Sequence, residues 1–190
     1  MAINLSKGQK ISLSKEAPNL KIALVGLGWD VKQFDGGAEY DLDASIFLLN
    51  SGGKCQNDTD FIFYNNLSSG GVTHSGDNRT GEGEGDDEAI TIEFEKVPEY
   101  VAKIAITVTI HDAQSRGQNF GQVQNAYVRL VDKQTGGELL RFDLGEDYST
   151  ETAIVFAEVY RHSGEWKFSA VGAGFNGGLE ALCRTYGLNI

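Results

Sequence analysis

Residues 39–49 read EYDLDASIFLL, and the alternation within them decides the fold class. Leu42, Ala44, Ile46 and Leu48 fall on one face at a period of two. Phe47 and Leu49 fall on the other, so the segment reads as a strand buried on both sides for most of its length. Asp41 and Asp43 share that second face, ahead of Phe47. Two carboxylates pointing the same way into the start of a buried strand need a partner there. The run Asn50-Ser51-Gly52-Gly53 then stops the strand.

The same short period recurs in both directions from this strand. Upstream, residues 10–14 make a short strand and residues 20–27 (LKIALVGL) an apolar one, which leaves through Gly26, Gly28 and Trp29-Asp30. Downstream, strands are predicted over 61–64, 72–75, 89–94, 104–110, 123–131, 139–144, 154–160 and 166–171. His162-Ser163-Gly164-Glu165 marks a hairpin between the last two. Leu179, Leu182 and Tyr186 are spaced by three and four, which suits one short C-terminal helix ended by Gly187. About ten short strands with regular turn signals point to an all-β antiparallel sandwich, residues 1–190 forming one domain.

The chemistry concentrates in residues 76–88, GDNRTGEGEGDDE. Asp77, Glu82, Glu84, Asp86, Asp87 and Glu88 are acidic, and within the run only Arg79 opposes them. Four glycines punctuate it, so it reads as a loop with exposed carbonyls. Carboxylates and carbonyls on a pliant loop suit a hard divalent cation, calcium above all. Asp30, Asp41 and Asp43 sit at strand ends and are placed to join it if those ends gather at one pole. On composition alone, a solvated acidic face is an equally good account of the loop.

Several other chemistries find no support. The chain carries 27 acidic against 16 basic residues, a net charge of −11, which disfavours nucleic acid and anionic membrane surfaces. Glutamates inside GEGEG would repel a phosphate, and no Gly-Lys-Ser/Thr follows. The loop lacks the EF-hand spacing, and its flanks read as strands. His74, His111 and His162 have no metal-ligand spacing, and no nucleophile elbow occurs. Cys55 and Cys183 form neither a disulfide framework nor a zinc set. No run has signal-peptide or membrane-span character, so a cytoplasmic chain is expected.

At these motifs the chain resembles the tellurite-resistance TerD family and its TerE relatives. The stretches that carry the resemblance are VGLGWD (25–30), DLDAS (41–45), FIFYNN (61–66), TIHDA (109–113), NFGQV (119–123), STETA (149–153), EVYRH (158–162) and EWKF (165–168). The most specific is GDNRTGEGEGDDE. The resemblance implies a calcium-binding β-sandwich of the bacterial cytoplasm, or of complexes peripheral to the inner membrane. It implies a role in tellurite resistance and stress responses through other proteins, with neither nucleic acid nor membrane insertion. Carried over residue by residue, the metal ligands it implies are Asp30, Asp41, Asp43, Asn65, Asn66, Asp77, Asn78, Asp86, Asp87 and Glu88. The expected activity is non-enzymatic. A metal-dependent hydrolase and a metal-free acidic docking module are the alternatives.

Overall fold

The structure is a computed structural model that describes residues 2–31, 40–76, 85–145 and 148–189. Along the chain run β1 (Ile3–Leu5), β2 (Lys10–Ser12), α1 (Leu13–Glu16), β3 (Ile22–Val31), β4 (Leu42–Leu49), β5 (Phe61–Ile62), β6 (Ser68–Ser69) and β7 (Val72–His74). There follow β8 (Glu88–Glu93), β9 (Lys103–Ile110), α2 (Ala113–Arg116), β10 (Val123–Asp132), β11 (Glu138–Asp143), β12 (Ala153–His162), β13 (Glu165–Phe175) and α3 (Gly178–Thr185).

Two sheets face each other. The first has the order β1-β11-β10-β3-β8-β7-β6 and the second β2-β13-β12-β9-β4-β5. Among the described residues, every pairing is antiparallel except that of β1 with β11, which is parallel. The inward faces alternate as the sequence demands. Leu42, Ala44, Ile46 and Leu48 of β4 meet Ala23, Val25 and Leu27 of β3 and Ile90 and Ile92 of β8 in one apolar core.

The other face of β4 is covered as well. Phe47 and Leu49 pack with Phe61, Val155, Leu182, Cys183, Tyr186 and Leu188 under α3. That is why all eight residues of β4 are buried. Burying each such large side chain contributes about 1.5–3 kcal/mol. α3 closes as its sequence predicts: Gly187 adopts φ +87°, and the amides of Leu188 and Gly187 turn back to the carbonyls of Cys183 and Arg184.

Several boundaries differ from expectation, two of them in ways that bear on the site or the strand order. The strand predicted over 20–27 runs on to Val31, straight through Gly26 and Gly28. The strand predicted over 10–14 stops at Ser12, where α1 begins.

Antiparallel pairing brings the ends of β3, β9, β11 and β13 to the same pole as the starts of β4, β8, β10 and β12. A bond from the Ala44 amide to the Glu88 carboxylate fixes this pole across the two sheets.

Candidate functional site

The acidic pole is built differently on the two sheets. On the outward face of the first, Gly26 and Gly28 leave a bare strip of backbone. The Asp86 carboxylate lies over Gly26 and the Tyr127 ring over Gly28, where a Cβ at either glycine would overlap them. Asp86 Oδ1 accepts from Arg129 Nε at 2.8 Å, and Oδ2 accepts from Arg129 Nη2 at 2.9 Å. This is a bidentate, charge-assisted pair. The Tyr127 hydroxyl lies 2.9 Å from the Gly85 carbonyl and 3.0 Å from Asp86 Oδ1. Burial, followed by the neighbouring Asp86, pushes the Tyr127 phenol up to about 12. The hydrogen bond to Asp86 heads the causes that raise the Arg129 pKa. Asp86, implied as a metal ligand, is therefore already neutralised by an arginine.

Asp87 and Asp30 stand beside it. Asp87 Oδ2 accepts from the Trp29 amide at 2.8 Å, and the Asp87 amide donates to the Leu27 carbonyl. Burial raises the Asp87 pKa. The Trp29 bond lowers it, and the charges of Asp30 and Asp86 raise it further. Asp30 is exposed at the end of β3 and accepts from Asn125 Nδ2 at 2.7 Å. Asn125 sits at a break in the β10 register with φ +51°, the left-handed conformation Asn tolerates better than most residues.

Glu88 points inward. It opens β8 on the same face as Ile90 and Ile92 and is buried. Its Oε2 accepts from the Ala44 amide at 2.6 Å and lies 3.3 Å from His74 Nε2. His74 Nδ1 accepts from the Gly76 amide at 2.9 Å, so the ring proton sits on Nε2, which is 3.1 Å from the Ala44 carbonyl. Glu88 thus joins the two sheets from within.

Asp43 alternates onto the outward face of the second sheet, the face that carries Phe47 and Leu49 further along, and Asp41 immediately precedes β4. Asp43 is buried, with Oδ2 3.8 Å from His111 Nδ1. Asp41 Oδ1 is buried and has no hydrogen-bond partner among the described residues. Asn65 is exposed in the turn after β5. Asn66 locks that turn, its Nδ2 donating to the Phe61 carbonyl at 2.6 Å and the Thr59 carbonyl at 3.3 Å. Asp77 and Asn78 lie outside the described residues.

The structure thus gathers Asp30, Asp41, Asp43, Asp86, Asp87 and Glu88 at one pole, but divides them. Asp30, Asp86 and Asp87 belong to the first sheet's side, Asp43 to the second sheet's outer face with Asp41 just ahead of it, and Glu88 lies between. Among the described residues, no three His, Cys, Asp or Glu side chains converge closely enough to hold a metal by themselves. Arg129, Tyr127 and Asn125 were not picked out from sequence, and His74 and His111 were weighed there as metal ligands and set aside. The outward positions of Tyr127 and Arg129 in the alternating residues 123–131 were the available signal.

Fold and site together define a two-sheet β-sandwich with carboxylates gathered at one end. The TerD domain profile matches residues 1–186, and the chain belongs to the TerD family. It is 59% identical over 191 residues to a tellurium resistance protein TerD of Serratia marcescens, covering 100% of this chain and 99% of that one. It is 55% identical over 192 residues to general stress protein 16U of Bacillus subtilis strain 168, covering 100% of both. The crystal structure of a homologue of telluride resistance protein (TerD) from Streptomyces coelicolor A3(2) superposes with a TM-score of 0.70 at 25% identity, covering 87% of this chain and 95% of that one. The family is one of tellurium resistance and stress response. Among the described residues, no helix is long and apolar enough to cross a membrane.

Proposed function

We propose that this chain is a non-enzymatic, calcium-binding stress-response protein of the cytoplasm that works through partner proteins and contributes to tellurite resistance. One observation carries the calcium reading: Asp41 Oδ1 is buried at the acidic pole without a hydrogen-bond partner among the described residues. A buried acceptor left unsatisfied costs about 1–3 kcal/mol, and more when charged. A cation bound there would remove that cost. The donor set fits calcium by type, since carboxylate, amide and carbonyl oxygens are what a hard cation selects.

Asp41 and Asp43 would hold calcium on the second sheet's side, and Asp30 and Asp87 on the first sheet's side. Bound calcium would supply the positive charge that these carboxylates lack. The chain's own residues do the rest. They fix where β4 and β8 begin, and the acidic pole they form is the surface offered to a partner.

The non-enzymatic reading draws support from the sequence, which carries no nucleophile elbow and no metal-ligand spacing of its histidines.

The test is calorimetric titration of demetallated protein with calcium and with magnesium, paired with thermal unfolding. Calcium should bind in preference to magnesium and raise the melting temperature, because a ligand of the folded form alone stabilises it. Absence of both heat and thermal shift at millimolar calcium overturns the reading. A partner whose binding survives chelation unchanged would favour the metal-free docking module.

A further inference from the structure

We infer that Arg129 and Tyr127 form a latch that fixes the exit of the acidic segment, and that Asp86 serves calcium binding as the held half of this latch, not as a ligand. The inference rests on the calcium reading above. It concerns the positioning of the site and assigns a role to two residues outside the set of acids.

The first argument is occupancy. A carboxylate offers about four lone-pair positions. Three contacts already fill Asp86: Arg129 Nε at 2.8 Å and Tyr127 Oη at 3.0 Å on Oδ1, and Arg129 Nη2 at 2.9 Å on Oδ2. For Asp86 to ligate a cation, the bidentate pair would have to open, leaving the guanidinium beside the incoming positive charge. Asp86 is also the more deeply seated of the pair, its side chain 10% exposed against 31% for Arg129.

The second argument is that the seat is built. Gly26 makes room for the carboxylate and Gly28 for the Tyr127 ring. Arg129 is steadied from its other end by Glu138 Oε2, 3.1 Å from Nη1. The Arg141 guanidinium covers the Tyr127 ring at 3.8 Å and is itself paired with Asp143. Two side chains on β10, Tyr127 and Arg129, thus hold one carboxylate, and three on β11, Glu138, Arg141 and Asp143, steady them.

The third argument is continuity. The two residues after Asp86 are Asp87, whose carboxylate meets the Trp29 amide, and Glu88, which bonds the Ala44 amide. Anchoring Gly85 and Asp86 sets where both of these acids stand before any cation arrives. Such prearrangement raises affinity by removing ordering cost from the binding step. Groups that orient metal ligands from behind typically account for roughly ten- to a hundredfold in affinity.

The experiment is a double-mutant cycle on calcium affinity with Asp86→Asn, Arg129→Gln and their combination, plus Tyr127→Phe. The latch predicts that Asp86→Asn and Arg129→Gln each weaken calcium binding roughly tenfold or more. The double variant should be no weaker than the worse single, because the pair acts as a unit. Tyr127→Phe should fall between these and wild type. If Asp86→Asn weakens binding while Arg129→Gln leaves it unchanged or tighter, Asp86 is a ligand and the latch is overturned.

Amide exchange at residues 85–88 in chelator supplies a metal-independent readout. Both single variants should exchange faster there, with the strand interiors unchanged. Unchanged exchange in both overturns the latch even if calcium binds. Loss of all calcium response in wild type, with faster exchange in the variants, sinks the calcium reading and leaves the latch as a purely structural device, overturning its proposed role in binding.

Discussion

The Ala44 amide donates to Glu88 Oε2 at 2.6 Å, so the starts of β4 and β8 are bonded to each other across the two sheets. β4 is free to do this because β5 pairs with it only at Ile46 and Phe47. The exposed ladder position at Ala44 is filled by a side chain instead of a strand.

Glu88→Ala should therefore behave as a core mutation although the residue is acidic. It leaves the Ala44 amide without its buried acceptor, at a cost of about 1–3 kcal/mol, and leaves His74 Nε2 with the Ala44 carbonyl alone. Urea denaturation in chelator should show a lower midpoint with an unchanged slope. Glu88→Gln, which keeps an acceptor oxygen, should lose less. Equal and negligible effects from both would mean that the bond contributes nothing to joining the sheets.

Gly26→Ala and Gly28→Ala should each destabilise the protein by about 1–3 kcal/mol, the range for forcing extra atoms into a filled space. Gly145→Ala is the control, since among the described residues nothing lies within 4 Å of a Cβ there and its φ is ordinary. Thermal unfolding of the three should separate the first two from the third. The Arg129–Asp86 pair should also loosen in Gly26→Ala and be retained in Gly145→Ala.

Asp87 gives a dependence on pH. Its pKa in the folded chain is raised, mainly by burial. The folded form therefore binds the proton more readily than the unfolded one, and an ionised Asp87 weighs against folding at neutral pH. In chelator, Asp87→Asn should be at least as stable as wild type at pH 7. The difference should shrink as pH falls through the raised pKa and vanish below the ordinary aspartate range. With saturating calcium the order should reverse if Asp87 is a ligand. Stability curves against pH, with and without calcium, read both effects.

Burial pushes the Cys55 thiol up to about 12 and the Cys183 thiol up to about 11. Both should be largely protonated and slow to alkylate at pH 8 in the folded protein. Reaction with iodoacetamide, followed by mass spectrometry, should accelerate sharply on adding denaturant. Rapid labelling of native Cys183 would contradict its burial under α3.

Much of the sandwich could be read from alternation alone. Residues 39–49 announced a strand covered on both sides, and α3 proves to be what covers the second side. Gly26 and Gly28 misled in an informative way. Read as the exit of a strand, they are instead interior strand positions left bare so that Asp86 and Tyr127 can lie against the backbone. A glycine's need for space and its need for a turn look identical in sequence. β1 was invisible because three residues carry too little pattern, and its parallel partner lies at Leu140 and its neighbours. The acids were legible as residues, but their division was not. Which face Glu88 takes depends on β8 beginning one residue earlier than the apolar pattern showed. The Arg129 partner of Asp86 lies 43 positions away and obeys no motif.

β1 and β2 border different sheets, one lying against β11 and the other against β13. A newly made chain thus carries its selvedges first and the cloth they finish last. Ile3 must wait for Leu140, and Ile11 for Phe168. Neither border can close before its partner strand has been made, and until then the nascent polypeptide exposes adhesive hydrogen-bonding margins to its neighbours.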